Sequence, residues 1–224
     1  MTTTRHGDPD TLLVRALAHA DPSIRLRAAL SAGTRPDARL ADVLVDRCAA
    51  EPDFFVRDML TWALIRLPAS TTMPLLVEEL RRGGARARSQ ALHTLSKIGD
   101  SAAWPQVSGL LHDSDVEVAR SAWRAAVALV PPGDEPGLAV DLAADLGRGD
   151  RDVQLSLSRA LVALGEAALP VLDSARRSSD PGVRAHAHAT EALIDDPDSA
   201  FALSHEMAKR VAATGRDGEG GQAC

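Results

Sequence analysis

The chain has 224 residues, of which 45% are apolar and only 3% aromatic, with no tyrosine at all; it is long enough to bury one sizeable core, but must fill it with small side chains. A formal net charge of −6 and a pI near 5.6 exclude a generally basic nucleic-acid binder, and no apolar run approaches the roughly eighteen residues of a membrane span. Cys48 and Cys224 are the two cysteines, and make neither a disulfide framework nor a ligand cluster.

Alanine, the best helix former, dominates the apolar set and points to an all-helical protein. The basic residues are arginines apart from Lys97 and Lys209, and asparagine is absent. That pairing has the look of GC-rich coding, so arginine abundance alone says little about function. Residues 1–8, Met-Thr-Thr-Thr-Arg-His-Gly-Asp, carry no apolar segment. They are expected to be disordered and to hold no secretory signal, which places the protein in the cytoplasm with reduced thiols.

From there the chain alternates two kinds of segment. Apolar helices are predicted over Leu12–His19, Leu40–Cys48, Met73–Leu80, Trp104–Leu111, Leu138–Leu146 and Ala168–Ala175, with Pro136 and Pro170 placed where a helix starts or kinks. After each comes an Asp, two residues, then a β-branched residue that opens an Ala-rich stretch. The copies read Asp21-Pro-Ser-Ile24-Arg25, Asp53-Phe-Phe-Val56-Arg57, Asp115-Val-Glu-Val118, Asp150-Arg-Asp-Val153 and Asp180-Pro-Gly-Val183-Arg184, with a degenerate Gly84-Ala-Arg-Ala87-Arg88 between the second and third. Their spacings of 32, 31, 31, 35 and 30 residues are each one helical hairpin. Asp suits a helix N-cap and Pro the first turn. Ala28, Ala91, Ala122 and Ala187 sit where close contact is needed, and Gly33, Gly99 and Gly165 are expected as left-handed C-caps. The fold class is therefore all-α: a right-handed α-solenoid of about six hairpins over residues 9–213. Segment Asp198–Ala213, apolar at Phe201, Leu203, Met207 and Val211, is expected to cap the last repeat. A Gly-rich tail, 214–224, is expected to be disordered.

The Asp-x-x-Val-Arg opening followed by alanine resembles HEAT repeats over Asp8–Ala213. More narrowly, Phe54–Trp62 through Ser89–Asp100 is similar to the HEAT-repeat half of certain bacterial MerR-type regulators. With only about eight polar residues ahead of the first repeat, the winged helix-turn-helix of those regulators is not expected here. The resemblance therefore implies a sensing or partner-binding role without DNA reading.

In such a solenoid the second helices line the concave face. Counting from the β-branched position, offsets 0, 4, 7 and 8 are expected to be buried, and offsets 2 or 3, 6 and 10 to share an open face. The open face would carry Asp58, Trp62, Arg66, Gln90, His93, Lys97, Arg120, Arg124 and, further on, Arg159. Trp62 offers a stacking surface, and Arg120 with Arg124, at i and i+4, a fork for a carboxylate or phosphate. Trp123, one residue off the stripe, is expected between repeats.

No catalytic set, metal site or cofactor motif is expected. His186 and His188 are two apart on a helix and point away from each other. His205-Glu206 is one half-site where HEAT-repeat di-iron hydroxylases need several. His112-Asp-Ser-Asp115 departs from the calcium-loop pattern and reads as a cap, and Cys48 reads as a core thiol. The leading functional expectation is a non-catalytic scaffold binding a protein partner or a small anionic or aromatic effector, with no nucleic acid and no membrane. Two alternatives remain. One is a small-molecule enzyme resembling the bilin lyases built from HEAT-type repeats, with His93 as acid–base group. The other resembles the HEAT-like-repeat glycosylases that excise alkylated bases, for which Asp58, Trp62 and Arg124 supply the residue types in a different order and spacing.

Overall fold

The computed structural model describes residues 9–195. The polar start 1–8, the expected capping segment Asp198–Ala213 and the tail 214–224 lie outside the described residues. Twelve α-helices and no strand are found among the described residues, and they form the successive helical hairpins of an all-α repeat fold. The chain divides into two compact units between Asp134 and Glu135. The division follows Pro131-Pro132-Gly133, where two prolines stop a helix and Gly133 takes φ 96°.

The first unit holds four hairpins: α1 (Pro9–Leu17) with α2 (Pro22–Thr34), α3 (Ala41–Ala50) with α4 (Phe54–Ile65), α5 (Ala69–Arg82) with α6 (Ala85–Ile98), and α7 (Trp104–Ser108) with α8 (Val116–Leu129). Helices α2, α4, α6 and α8 pack side by side in that order, and α3 packs on α5. The second unit holds α9 (Glu135–Ala143) with α10 (Arg151–Ala163), and α11 (Leu169–Ala175) with α12 (Pro181–Asp195); α10 packs on α12 and α9 on α11. Pro136 and Pro170 each lie at the second position of their helices, α9 and α11, where a missing N–H leaves no intrahelical bond unmade.

The buried register follows the repeat. Four residues after the β-branched position stand Ala28, Leu60, Ala91, Ala122, Leu157 and Ala187, every one of them buried. Eight after it stand Ala32, Leu64, Leu95, Ala126 and Leu161, also buried. A leucine removed from water in this way contributes about 1.5–3 kcal/mol, and alanine at the crossings lets neighbouring helices approach closely. Trp123 fills the space beside α7 completely buried, its indole N–H donating to the Leu111 carbonyl at 2.9 Å.

Hydrogen bonds give the Asp-x-x-β-Arg pattern its physical reason. The Asp side chains accept from backbone N–H groups in the first turn: Asp21 from Ser23, Asp53 from Val56, Asp115 from Glu117 and Val118, Asp150 from Val153, Asp180 from Gly182 and Val183. The arginine then turns back to the loop that precedes its own cap. Arg25 Nη1 donates to the His19 and Ala20 carbonyls, Arg57 Nη1 to Glu51 and Pro52, and Arg184 Nη1 to Ser178 and Ser179. In each case the acceptors lie one and two residues before the Asp, so a single guanidinium closes the inter-helix turn. Gln154 makes longer bonds of the same kind to Gly147 and Gly149. Where Gly84 replaces the Asp there is no side-chain cap, and Arg88 instead pairs with Asp113 of the next turn at 2.5 Å.

The structure corrects one cap. Gly33 lies inside α2, whose C-cap is Arg35, and does not take a positive φ. Its lack of a side chain serves packing: a Cβ there would stand 2.2 Å from Cζ3 of Trp62. Gly99 and Gly165 do take the left-handed conformation, at φ 73° and 59°, just past α6 and α10.

Candidate functional site

The first-turn halves of α4, α6 and α8 enclose an open groove of about 720 Å³, a volume in the range of small-ligand sites. Asp58 comes from α4, Gln90 and His93 from α6, and Arg124 from α8. Four of the nine candidate residues are thereby brought together. Helix geometry explains why: second helices set in parallel, one repeat apart, put equal offsets side by side, so three separate stretches of sequence converge on one surface.

Each of these side chains has a definite state. The His93 imidazole is half-buried, and burial lowers its pKa first, with the Lys97 and Arg124 cations adding and Asp58 opposing; it is neutral at pH 7. Arg124 donates to the Arg120 carbonyl and to Ser121 Oγ, both on its own helix, and forms no ion pair among the described residues. Partial desolvation, with Arg120 adding, lowers its pKa, yet a guanidinium stays charged. Gln90 donates to Thr61 Oγ1 at 2.9 Å, tying α6 to α4.

The other five stand elsewhere. Trp62 is half-buried, with Cε3, Cζ3 and Cη2 of its ring close against Gly33 of α2, and it does not line the groove. Arg120 is tied to Glu117 at 2.9 Å rather than forking with Arg124. Arg66 at the end of α4 and Lys97 at the end of α6 are exposed beyond the groove lining. Arg159 is exposed on α10, in the second unit.

Sequence reasoning missed part of the lining. Phe54, Arg57, Arg86, Ser89 and Ser121 also face the groove. Phe54 and Phe55 are 66% and 70% exposed, although phenylalanine occurs only three times in the chain. Their rings meet edge to face at 5.7 Å, and the Arg57 guanidinium sits 6.0 Å from the Phe54 centroid. The signal was present: two consecutive rare aromatics in the first turn of α4, before the buried register begins. Arg86 is exposed, with no hydrogen bond or ion pair among the described residues. Ser89 Oγ has no hydrogen-bond partner there either. Asp115 and Glu117 complete the rim, but the first caps α8 and the second holds Arg120.

Away from the groove, Cys48 is a core thiol, its pKa raised by burial to about 11. His188 is exposed near Glu191. His186 is buried in a polar network: Nδ1 accepts from the Gly147 N–H at 2.9 Å, and Nε2 faces the Gln154 carbonyl and Ser158 Oγ. Ser158 Oγ in turn meets Thr190 Oγ1 at 2.8 Å. Asp113 and Asp115 act as pairing and capping groups. No cluster of three potential metal ligands occurs among the described residues, and no described helix is long and apolar enough to cross a membrane.

No family model matches the chain, and no curated protein matches it. Solved structures do. An engineered protein from a structural genomics consortium shares 20% identity over 84% of this chain and 98% of its own, with a TM-score of 0.44. The complex of CpcE and CpcF of phycocyanin lyase from Nostoc sp. shares 19% identity over 87% of this chain and 80% of its own, with a TM-score of 0.48. A second engineered protein shares 22% identity over 82% of this chain and 57% of its own, with a TM-score of 0.43.

Proposed function

We propose that the protein is a non-catalytic HEAT-repeat scaffold. In this reading the groove over α4, α6 and α8 holds a protein segment or a small anionic or aromatic effector. The observation that carries it is the pair Arg86 and Arg124, two guanidiniums on adjacent second helices with no carboxylate ion pair among the described residues, facing a 720 Å³ groove. Structural arginines in this chain reach the carbonyls of a preceding loop or a carboxylate, as Arg25, Arg57 and Arg88 do; Arg124 bonds only within its own helix, and cations whose charge is not matched by a carboxylate beside a concavity fit a ligand's negative charge. The similarity of Phe54–Asp100 to the repeat half of MerR-type regulators supports the same sensing or partner-binding role.

A photo-crosslinking side chain at position 86, compared with one at Arg81 on the outer helix α5, tests the reading in the native cell extract. Adducts that form at 86, fail at 81 and disappear on Arg124→Ala are expected. Equal labelling at both positions, or none at 86, removes the groove from function. A second reading, a small-molecule lyase, rests on the neutral His93 imidazole beside Asp58 and Arg124, the protonation state a general base requires. Turnover that falls at least a hundredfold on His93→Gln, with ligand affinity held, would select it.

A further inference from the structure

The groove's exits narrow the choice of occupant. Its interior offers the positive charges of Arg86 and Arg124, neither in an ion pair among the described residues. At one end stands the Phe54–Phe55 pair, and Phe55 lies outside the groove lining while being the more exposed ring. A compact small molecule seated between the arginines would leave that ring in water. An occupant that covers both must extend past the groove. Three packed helices at about 8–10 Å spacing span roughly 16–20 Å, which an extended chain of about five or six residues matches.

Charge selects the sign of that chain. Asp115 and Glu117 are committed to the α8 N-cap and to Arg120, and Arg57 to two carbonyls. His93 is neutral, which leaves Asp58 as the one uncommitted anion of the lining against Arg86 and Arg124.

We propose that this groove is a docking site for an extended acidic peptide segment with an aromatic or large apolar residue at one end, its carboxylates on Arg86 and Arg124 and its apolar side chain on Phe54 and Phe55. The proposal rests on the scaffold reading above and specifies its partner.

A displayed library of random octapeptides, panned on the full-length protein and counter-selected on Arg86→Glu/Arg124→Glu, tests it. Expected are sequences rich in Asp and Glu beside one Phe, Trp or Leu. Binding of a labelled selected peptide should weaken at least tenfold on the double charge reversal and at least fivefold on Phe54→Ser/Phe55→Ser, with unchanged helical circular dichroism. Basic or neutral winners, clones that bind the reversed variant equally well, or no enrichment overturn the proposal. So does full displacement of the peptide by millimolar inorganic phosphate or benzoate, which would mark a small-anion site. Loss of self-association on Phe54→Ser/Phe55→Ser would assign the aromatic pair to a second copy of the chain and overturn it too. The crosslink at position 86 separates the two levels: a groove adduct to a non-acidic partner defeats the peptide chemistry alone, and an absent adduct defeats the scaffold reading as well.

Discussion

Two residues show how strongly single positions are determined here. Gly33 sits in the last turn of α2 with helical backbone, where Gly→Ala ordinarily stabilises by up to about 1 kcal/mol. The Trp62 ring lies 2.2 Å from where the new methyl would go, so Gly33→Ala should destabilise by about 1–3 kcal/mol through overpacking. Combining it with Trp62→Leu should recover most of that loss in a double-mutant cycle read by urea unfolding; a simple sum of the two single effects would show that the contact does not matter. Glu51 makes the complementary case, a fully buried carboxylate. It accepts from Arg25 at 2.7 and 2.8 Å, from Arg47 at 2.6 and 3.0 Å, and from the Asp53 N–H at 2.9 Å. Burial pushes its pKa up, but those five hydrogen bonds and the Arg47 charge override it and bring the value to about 2. A depressed carboxylate pKa means stability present above the unfolded value of 4.5 and lost as pH falls from there toward 2, roughly 3 kcal/mol in all. Acid titration of the unfolding free energy should show that loss, and Glu51→Ala, which leaves Arg25 buried without its partner, should cost about 3–5 kcal/mol at pH 7 and abolish that component.

At the scale of the element, the second helices were legible because three independent signals agreed: cap, β-branched opening and small residues at fixed offsets. The first helices were less so. α5 runs Ala69–Arg82 where Met73–Leu80 was predicted, and α7 ends at Ser108 where the apolar pattern continued to Leu111; α5 has no side-chain cap to mark its start, and the Asp100 cap ahead of α7 opens a short 3-10 turn, Ser101–Ala103, instead. Offset 3 was the instructive position. Counted with the open face, it is instead buried at Ser121, Ser156 and His186; at Gln90 and His186 that flank of the second helix meets the preceding repeat, at Thr61 and at Gln154. Most of the groove lining was missed for a related reason: the groove opens at the helix starts, at Phe54, Arg57 and Arg86, ahead of the periodic residues from which the face was counted. The α10–α12 pairing carries its own prediction. His186 Nδ1 accepts a backbone N–H, so the buried ring must be neutral, and burial lowers its pKa below 6.5 even though the Gln154 carbonyl opposes this. Below pH 6.5 the unfolded chain takes up a proton that the folded unit refuses, so stability falls as pH falls through that value and levels off below the folded pKa. Hydrogen exchange across α10 and α12, corrected for the intrinsic rate, should report weaker protection at pH 5.5 than at pH 7.5. His186→Gln should flatten that difference; a pH-independent wild type would show that the Gly147 bond is not made.

For the molecule as a whole, charge decides between partners that the residue types alone leave open. Trp62, Asp58 and Arg124 are the side chains that brought alkylated-base excision to mind, yet Trp62 is committed to Gly33 and the remaining two share the groove with two further carboxylates, Asp115 and Glu117. Against those three anions stand Arg57, Arg86 and Arg124, so the lining sums to zero on a chain of net charge −6. Duplex affinity rises with the number of phosphates neutralised, with a salt slope near −0.9 per contact. Two unpaired arginines on an acidic surface can supply only about two such contacts. A duplex of about 20 base pairs carrying a methylated or abasic site should therefore not be retained by micromolar protein at 100 mM salt, nor its base released on prolonged incubation. An acidic peptide faces a different balance. Its few carboxylates meet the two guanidiniums at hydrogen-bond range, where pairing is little screened, while the repulsion from the rest of the chain acts over distances comparable to the Debye length of about 10 Å at 0.1 M. Raising salt from 20 to 150 mM should then weaken peptide binding only modestly, by less than about fivefold, with the change in the dissociation rate. A steep salt loss carried by the association rate would mean that long-range charge, and not the groove, holds the partner.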